Sequence, residues 1–274
     1  MAKLDVLRLL YETKPGRILL RPLVSRPVSE LSGKLLDSRA SKLLIKPFVK
    51  KNQIDCDDYI LDDIESFNDF FCRRIRPELR NIHKGEDLLI APCDGLLSVT
   101  RIREGRVLKV KQSSFTVRDL LRDRKLAKRF EGGYALVYRL CVNHYHRYIY
   151  FDSGKKYRNR RIEGIYHTVR PVALENGPVF VQNTREYAVI DSRRFGRCVQ
   201  MEVGAMLVGR IVNRHKAGRR VLRGMEKGHF EYGGSTIIVL IPRDKAVIDR
   251  SILESKEEYP VQMGDVIGWA AKKN

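Results

Sequence analysis

The run Glu231-Tyr232-Gly233-Gly234-Ser235-Thr236-Ile237-Ile238-Val239-Leu240 places a hydroxyl directly behind two glycines and at the head of an apolar stretch. Glycine has no Cβ, so other groups approach this backbone closely and it adopts geometries denied to other residues. If Ser235 Oγ reaches the carbonyl carbon of Gly234, the acyl group moves from nitrogen to oxygen, and β-elimination of the ester cuts the chain. The residue left at the new N-terminus is a dehydroalanine, which tautomerises and loses ammonia by hydrolysis to give a pyruvoyl group, a ketone poised to form a Schiff base with an amine. The bland alternative is a turn leading into a buried strand, and the tetrapeptide alone does not choose between the two.

The elements that must hold this segment change character along the chain. Residues 1–75 read as helical, with Lys3 to Glu12, a break at Pro15-Gly16, then Ser29 to Leu36 and Ser38 to Val49, punctuated by Pro22, Pro27 and Pro47. An amphipathic stretch from Ile64 to Ile75 lines up Phe67, Phe70, Phe71 and Ile75 as a core-packing stripe before Pro77 ends it. From about Leu88 the pattern turns to short β-rich runs divided by glycines: Gly95–Ile102, Arg106–Val110, Tyr134–Val142, Tyr145–Phe151, Arg158–His167, Tyr187–Asp191, Cys198–Val203, Met206–Asn213 and Thr236–Ile241. One helix near Val117 to Lys128 interrupts them, and Val261 to Gly268 reads as a strand-turn-strand. The expected class is α+β, a helical basic N-terminal part (1–75) on a predominantly antiparallel β core (76–274).

A net charge of +20, from 53 Lys and Arg against 33 Asp and Glu, predicts a persistent positive field and an anionic partner. Residues 1–52 hold 12 basic and 4 acidic side chains threaded through the apolar segments Leu4–Leu10, Ile18–Val24 and Leu43–Val49. That interleaving suits an acidic membrane surface, although a solvated basic helix pair packed on the core has the same pattern. No run is long enough to span a bilayer and the start does not read as a signal peptide, so the expected place is peripheral, at the cytoplasmic face. Five cysteines lack metal-ligand spacing, which argues against a zinc site and for reduced thiols. The basic run Lys155-Lys156 and Arg158 to Arg161 has no zinc-finger, helix-turn-helix or RNA-binding signature beside it, so nucleic acid is not the expected partner.

Six ordered segments then carry a family resemblance. They are Ser66-Phe67-Asn68-Asp69-Phe70-Phe71 with Arg73-Arg74; Ala91-Pro92-Cys93-Asp94-Gly95; Tyr145-His146-Arg147; Asn183-Thr184-Arg185-Glu186-Tyr187; Glu202-Val203-Gly204-Ala205 with Val208-Gly209-Arg210-Ile211; and Glu226-Lys227-Gly228-His229-Phe230 before the Gly-Gly-Ser-Thr. In this order they resemble the pyruvoyl-dependent phosphatidylserine decarboxylases, which convert phosphatidylserine to phosphatidylethanolamine and carbon dioxide.

The resemblance implies cleavage between Gly234 and Ser235 into a β chain, 1–234, and an α chain, 235–274, that stay associated, with Ser235 as the precursor of the covalent pyruvoyl cofactor. It implies that Asp94 orients an imidazole toward the Ser235 hydroxyl, although Asp-Gly is also a common turn. The family pattern Asp-Tyr-His-Arg-x-His is matched by His144-Tyr145-His146-Arg147-Tyr148-Ile149. His146 takes the position tied to decarboxylation, while Ile149 stands where the cleavage histidine is expected. Either His146 serves both steps or another histidine acts: His167, expected to end a core strand, or His144, which shares a face with His146 if 144–150 is extended. Arg147 and Arg210 are candidates for the substrate phosphate or carboxylate, and backbone amides of the Gly204 to Gly209 segment are alternatives. The partner is then phosphatidylserine in an anionic membrane, no metal is implied, and a homo-oligomer is compatible with the sequence. Two other readings are a non-catalytic basic module that keeps the fold to bind membrane or nucleic acid, and a pyruvoyl decarboxylase of another amino acid or amino-lipid.

Overall fold

A continuous apolar run needs cover on both faces, and Ser235–Ile241 is buried at all seven positions. In the computed structural model, which describes residues 6–103, 108–110, 113–206, 210–233 and 235–272, this strand is central in a nine-stranded antiparallel sheet. The order across the sheet is Arg219–Val221, Gly154–Lys156, Arg185–Ser192, Gly196–Val203, Ser235–Ile241, Tyr134–Leu140, Gly95–Arg101 and Tyr259–Val261, with Arg160–Ile162 also paired to Arg185–Ser192. Alternation assigns Ile238 and Leu240 to one core, with Val199, Met201, Val203 and the N-terminal Leu10, Leu20 and Val24. Ile237, Val239 and Ile241 face a second core, with Tyr138, Leu140, Cys198, Tyr148 and Phe230. That second face is covered by two three-stranded sheets: Ile211–Asn213, Glu226–Phe230 and Arg147–Ile149, and Ala246–Ile248, Val266–Ala270 and Leu88–Ile90.

The class is α+β, as expected. The helices depart from the sequence reading in detail. Pro15-Gly16 does not break a helix but opens one, Lys14–Leu23: Pro15 sits in its first turn, where a missing N–H is harmless, and Thr13 caps it by accepting from Gly16 N at 3.0 Å. The next helix begins at Arg26 rather than Ser29, and the stretch from Ser38 divides into a 3₁₀ turn, Arg39–Leu44, and a helix, Ile45–Asn52. The Phe67, Phe70, Phe71 and Ile75 side chains are all buried, yet only Phe67–Phe71 is helical. Arg74–Ile75 instead pairs with Tyr59–Ile60 as a two-stranded ribbon. The single helix expected near Val117 to Lys128 is two, Val117–Leu121 and Arg124–Lys128, separated by Arg122 at φ +48°. The Tyr145–Phe151 and Arg158–His167 strands shrink to Arg147–Ile149 and Arg160–Ile162.

Among the described residues no helix is long and apolar enough to cross a membrane. Lys3, Leu4, Arg106, Val208-Gly209 and Gly234, the expected side of the cleavage, lie outside the described residues.

Candidate active site

Register brings the candidate residues to one end of the large sheet. Ser235 opens its strand opposite Leu140, the last residue of Tyr134–Leu140, and Leu96 pairs with Arg139 on the other side of that strand. Asp94 and Gly95 therefore enter beside the exit of 134–140, where the chain turns through Cys141 to His146. The side chain of Ser235 shares a face with Ile237 and Val239, the face covered by the Arg147–Ile149 and Glu226–Phe230 sheet. Ser235 is completely buried and its Oγ has no hydrogen-bond partner among the described residues. Gly233, two residues before it, has φ +138°, a conformation that favours glycine.

His146 is equally buried, its ring centre 4.1 Å from that of Phe71 with the two planes tilted by 39°. Its Nδ1 lies 2.8 Å from the carbonyl oxygen of His144, and its own carbonyl accepts from Phe230 N. A carbonyl only accepts, so Nδ1 carries the proton and donates. Burial, with the charge of Arg73 and the neighbouring His144, pushes its pKa well below the ordinary histidine value. The ring is thus neutral with a lone pair on Nε2, and that atom has no partner among the described residues.

His144 is in the opposite state: its Nδ1 accepts from Cys141 N at 3.1 Å, which leaves the proton on Nε2. Burial lowers its pKa while the nearby charge of Asp94 opposes this. It sits in the bend after Tyr134–Leu140 rather than in an extended run, so the shared-face condition for His144 and His146 is not met.

Asp94 is engaged by a residue the sequence reading did not single out. Arg80 grips both carboxylate oxygens, Nε to Oδ1 at 2.9 Å and Nη2 to Oδ2 at 2.5 Å, and Met263 N donates to Oδ1 at 2.8 Å. Ile149 is buried, with its N–H on Pro92 O and its carbonyl taking Gln200 Nε2. His167 does not end a strand. It lies in an irregular segment where Tyr11 Oη is 3.0 Å from its Nδ1 and Asn183 Oδ1 accepts from its N–H. There it borders a hollow of about 290 Å³ with Arg17 and Leu20 of the Lys14–Leu23 helix. No hydrogen bond or ring contact among the described residues joins it to Ser235 or His146.

Arg147 and Arg210, by contrast, come together in one cleft of about 450 Å³, with Arg73, Asp69, His229 and Glu231. Both are already paired, Arg147 with Glu226 at 2.8 Å and Arg210 with Glu231 at 2.5 Å. His229 had appeared only as part of a matched segment; burial pushes it down to about 4, and its Nδ1 is buried without a partner among the described residues. Two residues before His229 on the same strand, Lys227 Nζ meets Glu202 Oε2 at 2.5 Å with both side chains wholly excluded from solvent, and Asn213 bonds to each. Nothing in a linear sequence pairs Arg80 with Asp94, since the pair depends on tertiary packing.

Compared with known proteins, the chain matches the phosphatidylserine decarboxylase family over residues 67–269. It is 39% identical over 267 residues to a phosphatidylserine decarboxylase proenzyme of Clostridium perfringens, covering 94% of this chain and 90% of that one. It is also 39% identical over 272 residues to a proenzyme of the same name from Ruminiclostridium cellulolyticum, covering 96% and 90%. A phosphatidylserine decarboxylase proenzyme 2 from Clostridium acetobutylicum is 38% identical over 266 residues, with 96% and 91% covered.

Proposed function

The chain belongs to the phosphatidylserine decarboxylase family, and from that premise we propose that it releases carbon dioxide from phosphatidylserine to leave phosphatidylethanolamine, using a pyruvoyl group made from its own Ser235. The observation that carries the self-processing is the Ser235 hydroxyl: fully buried, without a partner among the described residues, and with Gly233, two residues before it, at φ +138°. A buried hydroxyl left unpaired costs roughly 1–3 kcal/mol, so a reactive use is a reason for it to persist. The residues present therefore fit a serine-derived group. That group supplies an electron-withdrawing ketone for the substrate amine.

The chain's own groups divide the proton work. His146 Nε2, an unpartnered lone pair on the same face of the sheet, takes the Ser235 proton as Oγ attacks the Gly234 carbonyl. His144 Nε2–H, anchored by Cys141 and biased by Asp94, can supply a proton to the departing nitrogen. Asp94, clamped by Arg80 and Met263 N, acts as a fixed negative charge rather than as a direct partner of an imidazole. In the mature enzyme His146 Nε2, once protonated by the substrate ammonium, returns that proton to the α-carbon as the carboxylate leaves. Burial of the ring keeps water from competing at that atom. His167, tied to Tyr11, is better suited to fixing the helical part on the core than to either step.

The helical part supports a peripheral membrane role. Ile18, Leu19, Leu31, Leu35, Leu43 and Leu44 are exposed between the basic side chains of 6–52, an apolar and cationic surface suited to an anionic bilayer. These helices and the reactive end of the sheet share the segment around Phe67–Phe71, where Phe48 packs against Phe67 and Tyr232. Family membership with near-complete coverage favours the enzyme over a non-catalytic basic module. Denaturing mass spectrometry of purified protein should give two chains, 1–234 and a pyruvoyl-headed 235–274, and Ser235→Ala a single one. An uncut, carbon-dioxide-releasing wild type would sink the self-processing. Comparing phosphatidylserine with free serine decides between the lipid and another amino acid.

A further inference from the structure

Arg73 is 2% exposed, yet it borders the cleft that holds Arg147 and Arg210. Its guanidinium lies over two aromatic rings, 4.1 Å from the centre of the Tyr59 ring and 4.9 Å from that of Phe70, and Nη1 donates to Phe70 O. Stacking fixes the plane and leaves only the edges free. One edge, Nε with Nη2, is buried and without a partner among the described residues. These are the two parallel donors with which arginine grips two oxygens of a phosphate or carboxylate. A buried cation with an unused fork is costly, and proteins keep such groups where an anion is to be bound.

Of the carboxylates lining the cleft, Asp37 bonds to Asn68, Asp69 to Ser66 and one oxygen of Glu231 to Arg210, and none of them hydrogen-bonds to the Nε–Nη2 edge of Arg73. We propose that the Nε–Nη2 edge of Arg73 binds the phosphodiester of the phosphatidylserine head group, an inference that rests on the decarboxylase reading above. The alternative anion, the substrate carboxylate, must shed its charge as it leaves, and a tight arginine pair would hold it back. The phosphodiester keeps its charge throughout, so gripping it positions the substrate without opposing the reaction. It is also three bonds from the α-carbon, so its holder must sit deep, close to the reacting atoms. Arg73 does so: its charge is near enough to His146 to help burial keep that ring neutral. Arg210, with 60% of its side chain exposed, sits at the mouth.

The test uses the mature enzyme with short-chain phosphatidylserine in detergent micelles, and calorimetric binding of glycerophosphoserine as a readout independent of turnover. Arg73→Met should raise KM by about 10- to 100-fold with little change in kcat, and weaken glycerophosphoserine binding by the same factor. Arg73→Lys keeps the charge but not the fork and should recover only part of this. Unchanged KM and binding in Arg73→Lys and Arg73→Met overturn the proposal, as does a loss confined to kcat. Should Arg73→Met fail to fold or be cut, Arg73→Lys decides: wild-type KM and binding refute the fork. A wild type that binds glycerophosphoserine through Arg73 yet releases no carbon dioxide would refute the decarboxylase reading alone.

Discussion

Replacing Lys227 by methionine removes one ammonium from a place where water cannot substitute for it. Lys227 and Glu202 are both fully buried, their charged atoms 2.5 Å apart, and Lys227 Nζ also donates to Asn213 Oδ1 at 2.9 Å. Methionine keeps the length of the side chain, so little packing is lost, but Glu202 is left facing Asn213 and its own unpartnered Oε1. Breaking a buried pair on one side costs about 3–5 kcal/mol, because the surviving charge must be neutralised or hydrated. Burial already raises the Glu202 carboxyl above its ordinary value, and losing Lys227 raises it further. For a chain of this size roughly 2–4 °C of Tm accompany each kcal/mol, so a fall of about 6–20 °C is expected. Glu202→Leu alone strands Lys227 and should cost a similar amount. The double variant strands neither and is expected to be no less stable than the better single one. The cycle is best measured by urea unfolding followed by circular dichroism in a Ser235→Ala background, which keeps one chain throughout. Single effects that simply add, within about 0.5 kcal/mol, would refute the argument.

Other outcomes follow from the same geometry. His146→Ala should abolish carbon dioxide release and slow chain cutting; fully active, cut protein would refute its assigned role. His229, held at about 4 in the fold against about 6.5 when unfolded, makes the unfolded chain bind more protons between those values. Stability present above pH 6.5 is therefore lost as pH falls toward 4, by about 3 kcal/mol in full. His229→Gln should flatten that part of the profile in denaturant titrations at pH 7 and 4.5, and an identical slope would contradict it. Changing Leu19, Leu35 and Leu43 together to glutamate should weaken sedimentation with phosphatidylglycerol-containing vesicles at least 10-fold, each lost leucine insertion being worth about 1.5–3 kcal/mol. Undiminished sedimentation would remove the helices from the membrane surface.

The strands 134–140 and 235–241 were legible because long apolar runs with β-branched residues have few other places to go. Helix starts were less so: Pro15 is written the same way whether it ends one helix or begins the next, and the choice was made by Thr13 as a cap. The aromatic stripe at 67–75 announced burial but not its secondary structure, since Arg74–Ile75 follows its partner Tyr59–Ile60 rather than its own periodicity. At the site, Ser235 stood out as a candidate by its two preceding glycines, while Asp94 and His146 became candidates only through the resemblance of the segments around them. The proton positions on His144 and His146 could not, because a backbone carbonyl and a backbone N–H set them. Arg80 and Arg73 stayed hidden for the same reason: a guanidinium in a chain with 53 basic residues acquires meaning only from what it touches.

The strand that opens at Ser235 lies between Gly196–Val203 and Tyr134–Leu140, hydrogen-bonded on both sides along most of its length. A chain cut at its first residue has therefore already had to thread that strand into place. Before the cut, reaching the folded state is a unimolecular event, independent of how dilute the protein is. After it, the same state can be regained only by collision of two separate polymers, the smaller of which carries an inner strand and an edge strand of the large sheet and two of the three strands of one smaller sheet. The proposed cleavage would make maturation a ratchet: the enzyme would assemble once from an intact script, and a mature molecule that unfolded would have lost the continuity that allowed it to return.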